Sequence, residues 1–230
     1  MLNSILQQYW PQLLSGTLTT IELMLLSLAF GLGMAIFMTL CLALKKPYLS
    51  IPINIFIFLI RGTPMLVQIF IIYYGSGQFD FIRASLLWLI LKQPFACAVI
   101  ALAINTSAYT TVLFTGAINS VPPGEIEACK AIAMSKLQML WYIILPKAIR
   151  IALPAYSNEA IMILKGTSLA STITILDLMG VTRQIIAQTY AAIECFIFAG
   201  IIYLILNAIL MSLFKLAEKT YYTTTQSVTV

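Results

Sequence analysis

The polar side chains that interrupt the long apolar stretches of this chain are few, and they fall in three groups. Arg61 stands with Gly62, Thr63, Pro64 and Gln68 inside a run of isoleucine, phenylalanine and leucine. Asn105, Thr106, Ser107 and Tyr109 share a second apolar run, and Asn158, Glu159, Lys165, Thr167 and Ser168 share a third. A charge at the middle of a membrane helix costs ~2.5–3.5 kcal/mol on the insertion scale, so it marks a functional position by default. Arg61 has two readings. It caps a helix break at Gly62-Thr63-Pro64 and pairs with a carboxylate or carbonyls, or it contacts a solute directly. The amide and hydroxyl groups from Asn105 to Thr111 either join helices or line a pathway. Glu159 and Lys165 are six residues apart, so they are not neighbours on one helix face. Each pairs elsewhere or faces a wet cavity. Gly166-Thr167-Ser168 reads as a helix break whose hydroxyls satisfy freed backbone groups.

Bond-making chemistry is missing from this inventory. The chain has no histidine, and Cys41, Cys97, Cys129 and Cys195 form no CxxC pair, which leaves zinc and haem almost no ligands. No nucleophile–base pair is evident, so no catalytic residue and no metal site are expected. No G-x-x-x-x-G-K-[ST] motif occurs. Lys165-Gly166-Thr167-Ser168 lacks the glycine-rich run ahead of its lysine and lies in an apolar stretch. The net charge of +5 is scattered rather than gathered into a basic face, which excludes a nucleic-acid partner.

The elements that position these groups follow from composition. The chain is 61% hydrophobic and 9% charged, with a mean hydropathy of +0.97. A soluble domain has ~45–50% and ~25%. Lipid is therefore the solvent for much of this chain. Stretches near the ~20 residues that cross a bilayer occur at about 18–44, 51–74, 95–117, 151–175 and 193–216. The fold class is an all-α membrane protein of about five transmembrane helices. Residues 1–17 are expected as an external segment without a cleavable signal, 18–217 as the transmembrane domain, and 218–230 as a cytoplasmic tail that is loose from Thr223 to Val230. With the N-terminus outside, eight basic residues face the cytoplasm and four face out, with Arg61 inside a span. That asymmetry predicts N-terminus out and C-terminus in. No internal repeat is found, and five spans cannot supply two equal halves of a complete transporter. Two copies, or one copy and a relative, would place ten helices around a central path.

The cytoplasmic loop 118–150 is the most informative connection. Pro122, Pro123 and Gly124 punctuate its start. A short helix then runs from Glu125, with Glu125 and Glu127 in its first turn, where carboxylates complement the dipole. Glu127 and Lys130 are spaced to pair. Ala128, Ala131 and Ala133 are small enough for another surface to approach the backbone. Ser135 starts a second helix with Leu137, Leu140, Trp141 and Ile144, and Leu145-Pro146 ends it. Such a surface helix either seats in a soluble partner or simply lies on the membrane.

Glu127-Ala128-Cys129, then Ala133, then Ile144-Leu145-Pro146 resembles the EAA loop of binding-protein-dependent ABC importer permeases. That pattern reads E-A-A, three residues, glycine, and later I-x-L-P. Here Cys129 and Ala133 replace the last alanine and the glycine. Arg61-Gly62-Thr63-Pro64 with Gln68 looks like the R-G-T-P-x-x-x-Q signature of polar amino-acid permeases. Asn105-Thr106-Ser107-Ala108-Tyr109 and Gly116-Ala117-Ile118 look like their third span. Leu153 to Glu159 and Lys165 to Leu169 look like their fourth. The stretch Arg150 to Glu159 is especially like the M-type subunits of histidine/lysine/arginine/ornithine importers.

The resemblance implies a type I ABC importer (MetI-like) permease fold in a bacterial inner membrane. Gly124, Glu127, Ala128, Cys129, Ala133, Leu145 and Pro146 would form the coupling helix and its flanks, docked in an ATPase subunit. Arg61, Gln68, Asn105, Thr106, Tyr109, Asn158, Glu159, Lys165, Thr167 and Ser168 would belong to the substrate pathway. ATP and Mg2+ would sit on the separate ATPase chains, with no cofactor on this one. A second permease, the same or related, and a periplasmic amino-acid-binding protein would complete the complex. The family commonly has a glutamate three residues after the tyrosine of A-Y, where this chain has Val112. Glu194 or the second permease are the candidates to replace it. The expected substrate is a polar, basic amino acid. The alternatives are another polar amino acid such as glutamine, a self-sufficient channel or secondary transporter, and a membrane anchor for a soluble enzyme.

Overall fold

A computed structural model describes residues 2–226, and every regular element among them is helical. Helix α1 (Leu2–Ala43) is a continuous rod through the first apolar stretch, with Pro11 inside it. The segment expected as external is therefore helical and continuous with the rest of α1; Met1 lies outside the described residues. Lys45 takes a left-handed φ of 53° and reverses the chain before α2 (Pro47–Arg61), which starts on a proline. Proline is tolerated there because the first amide of a helix has no partner to lose.

Helix α2 and helix α3 (Met65–Phe70) with its π-helical extension Ile71–Gly75 meet at 107°. The second apolar stretch is thus bent at Gly62-Thr63-Pro64. Two short helices follow, α4 (Asp80–Arg83) and α5 (Trp88–Leu91). Helix α6 (Pro94–Asn119) is the most enclosed span: its most apolar window is 67% buried, against 6% for the last helix. The loop holds α7 (Pro123–Ala131) and α8 (Lys136–Met139). A π-helical turn, Leu140–Ile144, then runs straight into α9 (Leu145–Gly166).

Leu145-Pro146 therefore does not end a helix, contrary to the sequence expectation. Pro146 falls in the first turn of α9, where the wider π-helical turn before it takes up the missing amide bond. Helix α9 passes into a seven-residue 3-10 helix, Thr167–Ile173. Helix α10 (Leu178–Thr189) and α11 (Ala192–Gln226) complete the chain. The expected tail is helical as far as Gln226, and residues 227–230 lie outside the described residues. Among the described residues, four helices are long and apolar enough to cross a membrane, and the bent α2–α3 pair makes a fifth if it counts as one span.

Small residues set the packing. A Cβ on Gly31 of α1 would stand 2.2 Å from Thr106 Cγ2 and 3.0 Å from the Ala103 oxygen of α6. Only glycine allows that approach. Leu23, Ile69, Cys97, Ala98, Val99, Ala101, Ala170 and Ile173 form one core around α6. A second core joins Tyr9 and Leu13 of α1 to Leu178, Val181 and Ile185 of α10 and to Cys195 and Ala199 of α11.

Candidate functional site: a polar membrane face and a connecting loop

The bend between α2 and α3 frees backbone carbonyls, and a single amide collects them. Gln68 Nε2 donates to the Ile60 oxygen at 2.8 Å, the Thr63 oxygen at 3.1 Å and Thr63 Oγ1 at 2.9 Å. Its Oε1 accepts from Asn105 Nδ2 of α6 at 2.9 Å. Both side chains are buried. Their geometry pins the bend to the central helix, as buried polar groups in membranes require.

Arg61 is exposed at the end of α2, and its guanidinium lies 5.2 Å from the centre of the Tyr109 ring. That is a cation–π contact. It replaces the carboxylate or carbonyl partner expected from the sequence. One turn earlier on α6, the buried Thr106 hydroxyl faces the Glu159 carboxylate of α9 without meeting strict hydrogen-bond geometry. Thr106 and Tyr109 are three residues apart and share one helix face. Arg61 and Glu159 therefore flank the same face of α6 from two different helices. The half-buried Tyr156 stacks between Phe114 and Phe214, with ring centres 6.0 and 6.1 Å away.

Asn158 is exposed and Glu159 half-buried on α9, and Lys165 is exposed. Thr167 is fully buried, and its hydroxyl donates to the Leu164 oxygen at 2.7 Å. The half-buried Ser168 donates to the Lys165 oxygen at 2.7 Å. The break expected at Gly166-Thr167-Ser168 takes the form of the 3-10 segment, with both hydroxyls satisfying backbone carbonyls. Val112 is 39% exposed on α6. Glu194 lies in the first turn of α11, close to Cys195, and Glu159 is a carboxylate that faces Thr106.

The loop 118–150 presents a different surface. Gly124, Glu127, Ala128, Lys130, Ala131, Ile132 and Ala133 are exposed, whereas Cys129 is buried beneath them. Ala133 has a left-handed φ of 56°. Its amide donates to the Lys130 oxygen, and the Met134 amide reaches back to the Cys129 oxygen, each at 3.0 Å. This closes α7 with the backbone shape that glycine usually provides. Ser135 then starts α8 with a reciprocal capping box: its hydroxyl accepts from the Gln138 amide and its amide donates to Gln138 Oε1. Glu125 pairs with Lys147 of α9, while Glu127 stays exposed. Leu145 and Pro146 are half-buried at the start of α9, where the loop meets the span.

Sequence reasoning passed over Asp177. It is fully buried and caps α10 by accepting from the Met179 and Gly180 amides at 3.3 and 3.0 Å. Burial pushes its carboxyl up to about 6, against the lowering effect of those amides and of the Tyr203 hydroxyl. The available signal was an aspartate directly before an apolar helical run.

A family model, binding-protein-dependent transport system inner membrane component, matches residues 27–221, and the chain belongs to that family. It is the permease subunit of an amino-acid ABC importer, a membrane component of a class that is not catalytic. The octopine transport system permease protein of Rhizobium radiobacter is 45% identical, covering 94% of this chain and 88% of that protein. The arginine ABC transporter permease protein of Haemophilus influenzae is 42% identical over 93% of both chains. The histidine/lysine/arginine/ornithine transport system permease protein of Escherichia coli K12 is 42% identical over 94% of both. A crystal structure of an amino acid ABC transporter with histidines superposes with a TM-score of 0.83 at 32% identity, covering 94% of this chain and 96% of that one. An inward-facing methionine ABC transporter shares the fold, with a TM-score of 0.65 at 15% identity.

Proposed function

We propose that this permease carries basic amino acids inward, and that the face between Arg61 and Glu159 receives them. The observation that carries this reading is the pair of opposite charges flanking the Thr106–Tyr109 face. An α-amino acid brings a carboxylate and an ammonium, and a basic one adds a second cation. Arg61 suits the carboxylate, and Glu159 suits a cation. Asn158 and Lys165 extend the polar surface along α9. Exposed charges at membrane depth require water or a second protein surface beside them. A second permease chain across a shared wet cavity meets that need. The names of the relatives, which cite arginine and histidine/lysine/arginine/ornithine, support the same substrate class.

In this reading the N-terminus faces the periplasm and the loop 118–150 faces the cytosol. The exposed ridge of Glu127, Ala128, Ile132 and Ala133 seats in an ATPase subunit that holds ATP and Mg2+. A periplasmic binding protein delivers substrate to the outer face. ATP-driven closure of the ATPases draws the two coupling helices together and turns the cavity outward. Reopening turns it inward.

The test is uptake by proteoliposomes holding the permease, its ATPase and its binding protein. Labelled arginine is expected to enter with ATP. Glu159→Gln is expected to raise the KM for basic amino acids about tenfold, the scale of one lost charge contact, and to change glutamine uptake much less. Equal losses for both substrates would sink the assignment of Glu159. ATP-independent uptake by the chain alone would favour a self-sufficient transporter instead.

A further inference from the structure

Between α9 and α10 the chain makes an unusual connection. The 3-10 helix Thr167–Ile173 is seven residues long, beyond the three or four that such helices normally reach, and long 3-10 stretches often mark hinges. It ends at Thr174 with a left-handed φ of 68°. A β-branched residue disfavours that conformation. Strain of this kind persists only where the surroundings over-determine it.

The surroundings are specific. Three residues after Thr174 comes Asp177, with no exposed surface, holding the first amides of α10. The next amide along the chain, Leu178, donates to Thr20 Oγ1 of α1 at 3.0 Å. Thr182 closes the turn by donating to the Leu178 oxygen at 2.6 Å. A Cβ on Gly180 would stand 2.3 Å from the Ile175 oxygen, and one on Gly16 would stand 3.0 Å from the Asp177 oxygen. The hinge end is thus seated against α1 with no spare room.

The groups that face the Asp177 carboxyl are few. Helix α11 offers the Tyr203 hydroxyl, the titratable group in the set. That hydroxyl also faces Thr20 of α1 and Thr167 of the 3-10 segment, and it lacks a partner in strict geometry. No cation among the described residues contributes to the field at Asp177. Arg183, on the same helix, is exposed to the outside. A buried carboxylate without a cation is most comfortable when protonated.

We propose that Asp177 is a proton-sensitive pin for this hinge: protonated, it keeps Thr167–Leu176 seated against α1 and α11, and ionised, it frees the segment to swing during the transport cycle. The proposal rests on the importer reading and on an outward-facing position for α10. Its direction follows from linkage. Conformations that expose the carboxyl hold the proton less tightly than the seated one, so acid favours the seated form. The raised value of about 6 places the change between mildly acidic and neutral conditions. Import therefore slows as the external pH falls through that range.

The experiment uses the complete importer in proteoliposomes, with initial uptake measured from about pH 5 to about pH 7.5 for the wild type and Asp177→Asn. The amide mimics the neutral carboxyl. The ratio of wild-type to variant uptake is expected to be about ten at the neutral end and to approach one at the acidic end. Taking the ratio cancels the pH responses of the ATPase and the binding protein. Tyr203→Phe removes one hydroxyl that stabilises the carboxylate, and it is expected to move the midpoint of the wild-type profile to higher pH. This second variant decides the matter if Asp177→Asn does not assemble. A ratio that stays constant with pH, or a midpoint unmoved by Tyr203→Phe, overturns the pin. Absence of ATP-driven uptake by the wild type at neutral pH would overturn the importer reading itself, and the pin with it.

Discussion

Ala133 sits where an L side chain is disfavoured, with φ at 56°. Left-handed backbone costs a non-glycine residue ~1–2 kcal/mol. Ala133→Gly is therefore expected to stabilise the turn by about 1 kcal/mol and to slow hydrogen exchange at the Met134 amide about fivefold. Unchanged exchange would show that the turn carries no strain. The E-A-A spacing and the small residue four positions after Cys129 were legible in the sequence, but the sign of φ was not, because alanine normally avoids it. Arg61 shows a similar limit. The sequence marks it as exceptional, but its partner comes from a helix 48 positions later in the chain, by its stacking on Tyr109. A cation–π contact of this kind is worth ~0.5–2 kcal/mol. Tyr109→Leu is expected to raise the KM for uptake several-fold while leaving the amount of assembled complex unchanged. Loss of assembly instead would make the contact structural.

Helix pairing turns on close approaches more than on hydropathy. Gly31→Ala places a methyl 2.2 Å from Thr106 Cγ2, too close for any relaxed contact. Overpacking of this sort costs ~1–3 kcal/mol, so thermal unfolding of the detergent-solubilised complex should shift down. Thr106→Ser deletes the clashing methyl and is expected to restore much of the loss. If the double variant is no better than Gly31→Ala alone, the α1–α6 contact is wrong. The five apolar stretches were readable because each is long and nearly free of charge. The break at Gly62-Thr63-Pro64 was readable as well, but its 107° angle and the continuity through Leu145-Pro146 were not. The bend depends on Gln68 gathering the freed carbonyls and on Asn105 holding Gln68 in place. Continuity at Pro146 depends on the π-helical turn Leu140–Ile144. Neither the angle of the bend nor the continuity at Pro146 has a local sequence signature; each needs a tertiary partner or a rare backbone register.

For the whole molecule, α9 is the element that joins the loop 118–150 to the polar face. One end of α9 carries Lys147, which pairs with Glu125 of the loop, and the other end passes into the 3-10 segment. A bulky residue on the exposed loop should disengage the motor without unfolding the spans. Glu127→Trp is expected to leave basal ATP hydrolysis in place and to cut binding-protein-stimulated uptake at least about tenfold. Normal coupled uptake in that variant would argue against the docking surface. The N-terminal end of α1 has a different dependence. At 1.5 Å per residue, the part of α1 from Leu18 to Ala43 rises ~39 Å, longer than the ~30 Å hydrocarbon thickness of a bilayer. Tyr9 and Leu13 fasten its far end to α10. A stiff strut held this way must tilt to match the lipid around it. Long-chain phospholipids would stand it upright, short-chain ones would lean it over, and α10 would be carried along in either case. Acyl-chain length then acts as a mechanical input to the transport cycle.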